Sequence, residues 1–162
     1  MQRIQRLRPG SMLGVPGAGL LILDGMTLDH VMNMSIEMHD STVSRFTPDG
    51  ESIIMNLTPA YLHKSYGQPG IDPGTGWTQD ARLVVGGASL VGKLPELPCD
   101  IMDGELTIGG AVHRNTIPVP LLIDDAVNLH VVFYPECDVS ITGTSIRLEL
   151  LGEPTYVEEF NP

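Results

Sequence analysis

Residues 28–38 read LDHVMNMSIEM, and this stretch decides the fold. Even positions carry Leu28, His30, Met32, Met34, Ile36 and Met38, while odd positions carry Asp29, Val31, Asn33, Ser35 and Glu37. A repeat of two, broken at Val31 alone, predicts a strand with one buried face and one wet face. The chain continues in the same manner. Pro48-Asp49-Gly50 has turn chemistry, and residues 51–57 alternate with Ile53, Met55 and Leu57 inward, which predicts a hairpin.

Further β-rich runs cover residues 81–91 and 103–108, the second opening on Asp103-Gly104, which reads as a turn like Asp49-Gly50. Residues 128–134 and 138–151 form the most strand-like block, with Pro135 between the two halves. Val139, Ile141, Ile146, Leu148 and Leu150 are its core candidates, and a change of phase around Gly143 predicts a turn or bulge. Thr58-Pro59-Ala60-Tyr61-Leu62-His63 admits either a short helix, capped by Thr with Pro in its first turn, or a strand edge.

With 18 Gly and 13 Pro spread along 162 residues, no window suits a long helix. The expectation is one all-β domain over residues 1–162, an antiparallel β-sandwich of jelly-roll type or a closed β-barrel, with residues 1–18 as a flexible N-terminal arm. About eight to ten strands and at most one or two short helices are expected.

Charge narrows the partners. The chain has 20 Asp and Glu against 9 Lys and Arg, a formal net charge of -11. Arg3, Arg6 and Arg8 open the sequence, leaving six cations against twenty acids over residues 9–162, a net of -14. Such a body repels phosphate backbones and anionic lipid, so neither nucleic acid nor a membrane surface is expected as partner. A basic protein partner or a small molecule fits better, and exposed β-edges make a homodimer a further expectation.

No stretch has the ~18 uninterrupted apolar residues of a spanning helix. The first 25 residues, broken by glycines and Pro16 and followed by no small-residue cleavage site, read as a mature N-terminus, so the expected compartment is cytoplasmic. Cys99 and Cys137 are too few for a disulfide framework and are read as free thiols.

Residues 65–80, SYGQPGIDPGTGWTQD, are expected to form a long loop, with the one tryptophan of the chain at Trp77. Tyr61, Tyr66 and Trp77 offer flat apolar faces, and Asp72, Gln79 and Asp80 offer polar edges, as a small-molecule or sugar site requires. The structural alternative has Trp77 folded back as a lid on the core.

Among the histidines His30, His39, His63, His113 and His130, no pair has a metal-specific spacing. One constellation still combines the right groups. Glu37 and His39 share a strand face with Asp40 at its end, and His63 could converge on them to hold zinc or another divalent cation or to relay protons. The sequence requires no cofactor beyond that candidate.

Two glycine-rich motifs fail. Residues 87–93 match the phosphate-loop spacing, but Leu94 stands where a hydroxyl should meet magnesium, and Pro95 and Pro98 deny the following helix, so a strand and turn are expected. Gly14 to Gly19 lacks dinucleotide-binding spacing. With no catalytic motif present, the expected function is a non-enzymatic binding or protein-interaction domain, for instance an acidic inhibitor or immunity-like protein. The alternative is a metal-dependent enzyme, or a small-ligand or carbohydrate-binding sandwich, using the Trp77 loop and the nearby histidines.

Overall fold

The computed structural model describes residues 31–162, together with the backbone of two short strands before them. Those strands, β1 (Ile22–Leu23) and β2 (Met26–Thr27), pair antiparallel within a unit of residues 1–31. The expected arm at residues 1–18, the Gly14 to Gly19 run and residues 28–30 of the deciding stretch lie outside the described residues.

Residues 32–162 form a second unit that is nearly all strand. Its first strands are β3 (Asn33–Glu37), β4 (Thr42–Asp49), β5 (Ser52–Ser65) and β6 (Gly74–Gly86). Then come β7 (Ser89–Gly92), β8 (Cys99–Ile108), β9 (Ala111–Arg114) and β10 (Thr116–Val119). The last are β11 (Leu122–Ile123), β12 (Val127–Phe133), β13 (Cys137–Gly143) and β14 (Ser145–Phe160). One 3-10 turn, Met38–Asp40, is the helical element among the described residues.

Every ladder is antiparallel. One layer runs β11-β14-β6-β5-β4, with β3 on β5 and β10 on β3; the other runs β8-β12-β13-β7, with β9 on β8. Two residue pairs, Thr42↔Asp100 and Val43↔Cys99, join the layers through β4 and β8. The outer strands β11 and β7 do not pair with each other, so the sheet stays open and folds as a sandwich rather than closing as a barrel.

Alternation builds the core. In β12, Val127, Leu129, Val131 and Phe133 are buried, and in β13, Cys137, Val139 and Ile141 are buried. From the other layer Met55, Leu57, Leu83 and Val85 face them in one continuous apolar cluster. Phe46 meets Phe133 edge to face across the layers, with ring centroids 6.3 Å apart. Ile146 is buried, while Leu148 and Leu150 pack half-buried at its margin. Cys99 and Cys137 are free.

Several local expectations change. The deciding strand begins at Asn33, and Val31 and Met32 are exposed, so the inward series starts at Met34 and holds through Ile36 and Met38. Its odd face is wet only in part, because Ser35, opposite His63 on β5 and Pro118 on β10, is buried while Asn33 is exposed. Residues 65–80 are not one long loop, since β6 already begins at Gly74. A Cβ at Gly74 would strike the Lys64 carbonyl, and one at Gly76 the Tyr61 hydroxyl, so these glycines mark close strand packing rather than a turn.

Asp49-Gly50 is a hairpin turn, with Gly50 at φ 59 and Asp49 opposite Ser52. Asp103-Gly104 is not a turn; it sits inside β8, opposite Val132 and Val131. There Asp103 Oδ1 accepts from the Gly104 N–H and from Asn115 Nδ2, at 3.0 and 2.7 Å, so the acid serves local bonding rather than chain reversal. Residues 81–91 split at Gly87, which has φ 56. Gly143 precedes the crossing from β13 to β14, where a side chain would collide with Val85 and the Gly86 carbonyl. The Thr58-Pro59 segment is strand, with a bulge between Leu57 and Ala60.

No helix among the described residues is long and apolar enough to cross a membrane.

Candidate functional site

β3 and β4 lie on the same edge of β5, one after the other. β3 pairs with Tyr61 to Ser65, β4 with Ser52 to Leu57, and the 3-10 turn carries the chain past the bulge between them. This crossing presents the polar cluster. Met38 points into the core at 0% exposure, which turns His39 and Asp40 outward.

Ser41 fixes the turn from behind: its hydroxyl donates to the Glu37 carbonyl at 2.7 Å and accepts from the Tyr61 N–H at 2.9 Å. The Met38 N–H donates to the Asn115 carbonyl, and the Ile101 N–H donates to the Ser41 carbonyl. A segment held on both flanks has few alternative conformations, as a preorganised site needs.

The side chains converge. His39 Nε2 lies 3.2 Å from Asp40 Oδ2 and 3.9 Å from Glu37 Oε2. One donor atom from each of these residues falls within 4.8 Å of the others. The second Glu37 oxygen, Oε1, is 3.0 Å from His63 Nδ1, and the Gly70 nitrogen is 2.7 Å from the same Nδ1.

His63 is therefore near the expected cluster but behind it. It is 1% exposed, covered by the 66–73 loop and by Phe160, whose ring centroid is 4.5 Å away. That loop is tied down by Ser65, donating to the Pro73 carbonyl at 2.7 Å, and by Asn33, donating to the Gly67 carbonyl at 2.8 Å.

In front of Glu37 and His39 opens a cleft of about 390 Å³ between residues 68–71 and 112–116. Ile71 and Val112 give it apolar walls, and His113 and Arg114 give it polar ones. The sequence offered no signal for the second wall, because β9 reaches the cleft only through its pairing with β8.

The proposed ligand-binding residues do not form one site. Tyr61 donates to Glu158 Oε1 at 2.9 Å. Its phenol is held far above the usual range, first by burial, then by the hydrogen bond and charge of Glu158, then by the charges of Glu37 and Asp40. Asp72 accepts from the Gln68 N–H and so closes the loop at 66–73. Tyr66 stands exposed where that loop begins.

Trp77 lies in β6 on the face shared with Leu62. It packs edge to face on Tyr156 at 5.3 Å, with Lys64 Nζ 4.2 Å over its ring. Gln79 donates to the Gly152 carbonyl, and with Asp80 it lines a separate hollow beside Pro59 and Thr155. Of the other described histidines, His113 is in the cleft wall, and His130 pairs with Asp138 at 3.1 Å; His30 lies outside the described residues.

No protein family, curated protein or solved structure matches this chain.

Proposed function

We propose that this protein binds a divalent cation, zinc in the first instance, through Glu37, His39 and Asp40, and uses the open side of that ion to hold a small oxygen-bearing molecule in the adjoining cleft. One observation carries the reading: an imidazole and two carboxylates gathered within 4.8 Å at the mouth of a cleft, with the Glu37 carboxylate held from behind by a buried histidine. Ligands at ~2 Å around a tetrahedral ion stand about 3.3 Å apart, so separations of 3.2 and 3.9 Å need only small side-chain shifts. A mixed nitrogen and oxygen set suits zinc better than calcium or magnesium. With its proton on Nδ1, His63 donates to Glu37 Oε1 and takes the part of the outer partner that orients a ligating carboxylate.

Calorimetric titration of chelator-treated protein with Zn²⁺ tests this. One ion per chain is expected, with affinity reduced at least about tenfold in His39→Ala and in Glu37→Gln. Absence of saturable binding, or equal binding by a variant lacking all three side chains, overturns it.

A second reading, interaction with a basic protein segment, rests on the far half of β14. Among the described residues, Thr155–Phe160 pairs with β6 alone, exposes Tyr156 and Val157, and carries Glu158 and Glu159. An extended Lys-rich peptide adding to this edge at low salt supports it, and no binding counts against it.

A further inference from the structure

The outward face of the β4-β5-β6-β14 layer carries a feature that the cation site does not use. Arg45 stands directly opposite Asn56, Asn56 opposite Arg82, and Arg82 opposite Glu149, so these residues form one straight row across four strands. Their chain neighbours Phe46, Met55, Leu57, Leu83, Leu148 and Leu150 point the other way and pack in or against the core. The row therefore faces outward by the same alternation that builds the sandwich.

Above Asn56 lies a hollow of about 390 Å³ bounded by Arg45, Arg82, Asn56, Ser44, Thr47 and Thr58, with Ile54 on its floor. No acidic side chain among the described residues lines it. That is unexpected in a protein with 20 acids and 9 cations, where chance placement of six lining polar groups would favour carboxylates over a pair of arginines. The residues Arg45 and Arg82 are two strand spacings apart, about 10 Å between backbones, close enough for both guanidinium groups to meet over the asparagine.

The compensation for this charge is thin. Arg45 forms no ion pair among the described residues, and Arg82 reaches Glu149 Oε2 only at 3.7 Å. Glu149 gives its other oxygen to Arg147 Nε at 3.0 Å. Exposed pairs of this kind hold weakly, so an incoming dianion competes readily for Arg82. The hydroxyls of Ser44 and Thr58, 3.0 Å apart, add rotatable donors on the rim.

We propose that this face binds a small molecule through a phosphate monoester. Arg45 and Arg82 grip the oxyanion from two sides, Asn56 and the Ser44–Thr58 hydroxyls bond its remaining oxygens or the attached polyol, and Ile54 supports the ligand's carbon frame. Planar, forked guanidinium donors match a tetrahedral oxyanion in pairs, which is why two arginines and no lysine at this place points to phosphate rather than to a single carboxylate. The hollow exceeds what inorganic phosphate fills and suits a phosphorylated sugar.

The test is titration of chelator-treated full-length protein at low ionic strength with glucose 6-phosphate, inorganic phosphate and glucose, using chelation to keep the cation site out of the measurement. Saturable binding of glucose 6-phosphate, weaker binding of phosphate and none of glucose are expected. Arg45→Gln and Arg82→Gln should each weaken binding about tenfold or more, and Arg82→Lys by an intermediate factor. Lys93→Gln, an exposed cation in neither cleft, should change nothing. Each variant's unfolding transition is recorded, so that loss of fold is not counted as loss of binding. The proposal is overturned if neither phosphate nor glucose 6-phosphate binds, if the double arginine variant binds as the parent does, or if an oligonucleotide binds where the sugar phosphate does not.

Discussion

Glu37 and His63 stand diagonally across the β3-β5 ladder, and their side chains meet at 3.0 Å behind the exposed cluster. The Gly70 nitrogen lies 2.7 Å from the same Nδ1, and that atom serves one partner at a time: unprotonated it accepts the Gly70 N–H, protonated it donates to Glu37. Nε2 has no oxygen or nitrogen partner among the described residues, while the Phe160 ring packs edge to face on the imidazole. His63 is thus a buried post that joins a loop N–H, an aromatic ring and the Glu37 carboxylate. Replacing it by alanine removes the Nδ1 contact with Glu37 and Gly70 and leaves a cavity, at a cost of about 2–4 kcal/mol in urea unfolding. A cost near zero would show that the 66–73 loop does not rest on the ring. His63→Gln should lower zinc affinity by about tenfold or more while the chain stays folded, because the carboxylate loses its orienting partner.

Met38 and Gly104 lock the turn of the cluster to the second layer. A Cβ built on Gly104 would come 2.6 Å from Met38 Sδ and 3.0 Å from its terminal methyl. Gly104→Ala is therefore expected to destabilise by about 1–3 kcal/mol. Met38→Ala alone should also destabilise, by loss of a fully buried side chain. The two together should cost less than the sum, since the smaller residue at 38 makes room for the methyl group at 104. Strict additivity across the four proteins would mean that the two residues do not share this contact.

The all-β sandwich was legible because alternation survives wherever one face meets the core, as at Met55 and Leu57 or Val139 and Ile141. Glycine was the misleading signal. Gly74, Gly76 and Gly104 lie in strands at points where neighbouring groups leave no space for a Cβ, and such positions look like loops in a sequence. The cluster of Glu37, His39 and Asp40 was legible because it is local, spanning four consecutive residues around one turn. The outward arginine row was not, since residues 45, 56, 82 and 149 become neighbours only through three strand registers.

Tyr61 links the cluster to alkaline stability. Burial is the main reason that its phenol resists ionisation, with the Glu158 hydrogen bond and charge next and the charges of Glu37 and Asp40 behind them. In the unfolded chain the phenol ionises near its ordinary value of about 10. The folded state then holds a proton that the unfolded state has released. Its stabilising contribution is complete below about pH 10 and is lost progressively as pH rises above it. Urea midpoints compared at about pH 8 and about pH 11 should fall more in the parent than in Tyr61→Phe, which cannot ionise. At the lower pH the variant should be weaker by about 1 kcal/mol through loss of the bond to Glu158. If parent and variant lose the same stability over that interval, the phenol titrates in the folded protein as it does in the unfolded chain, and the field of the Glu37 and Asp40 carboxylates does not reach it.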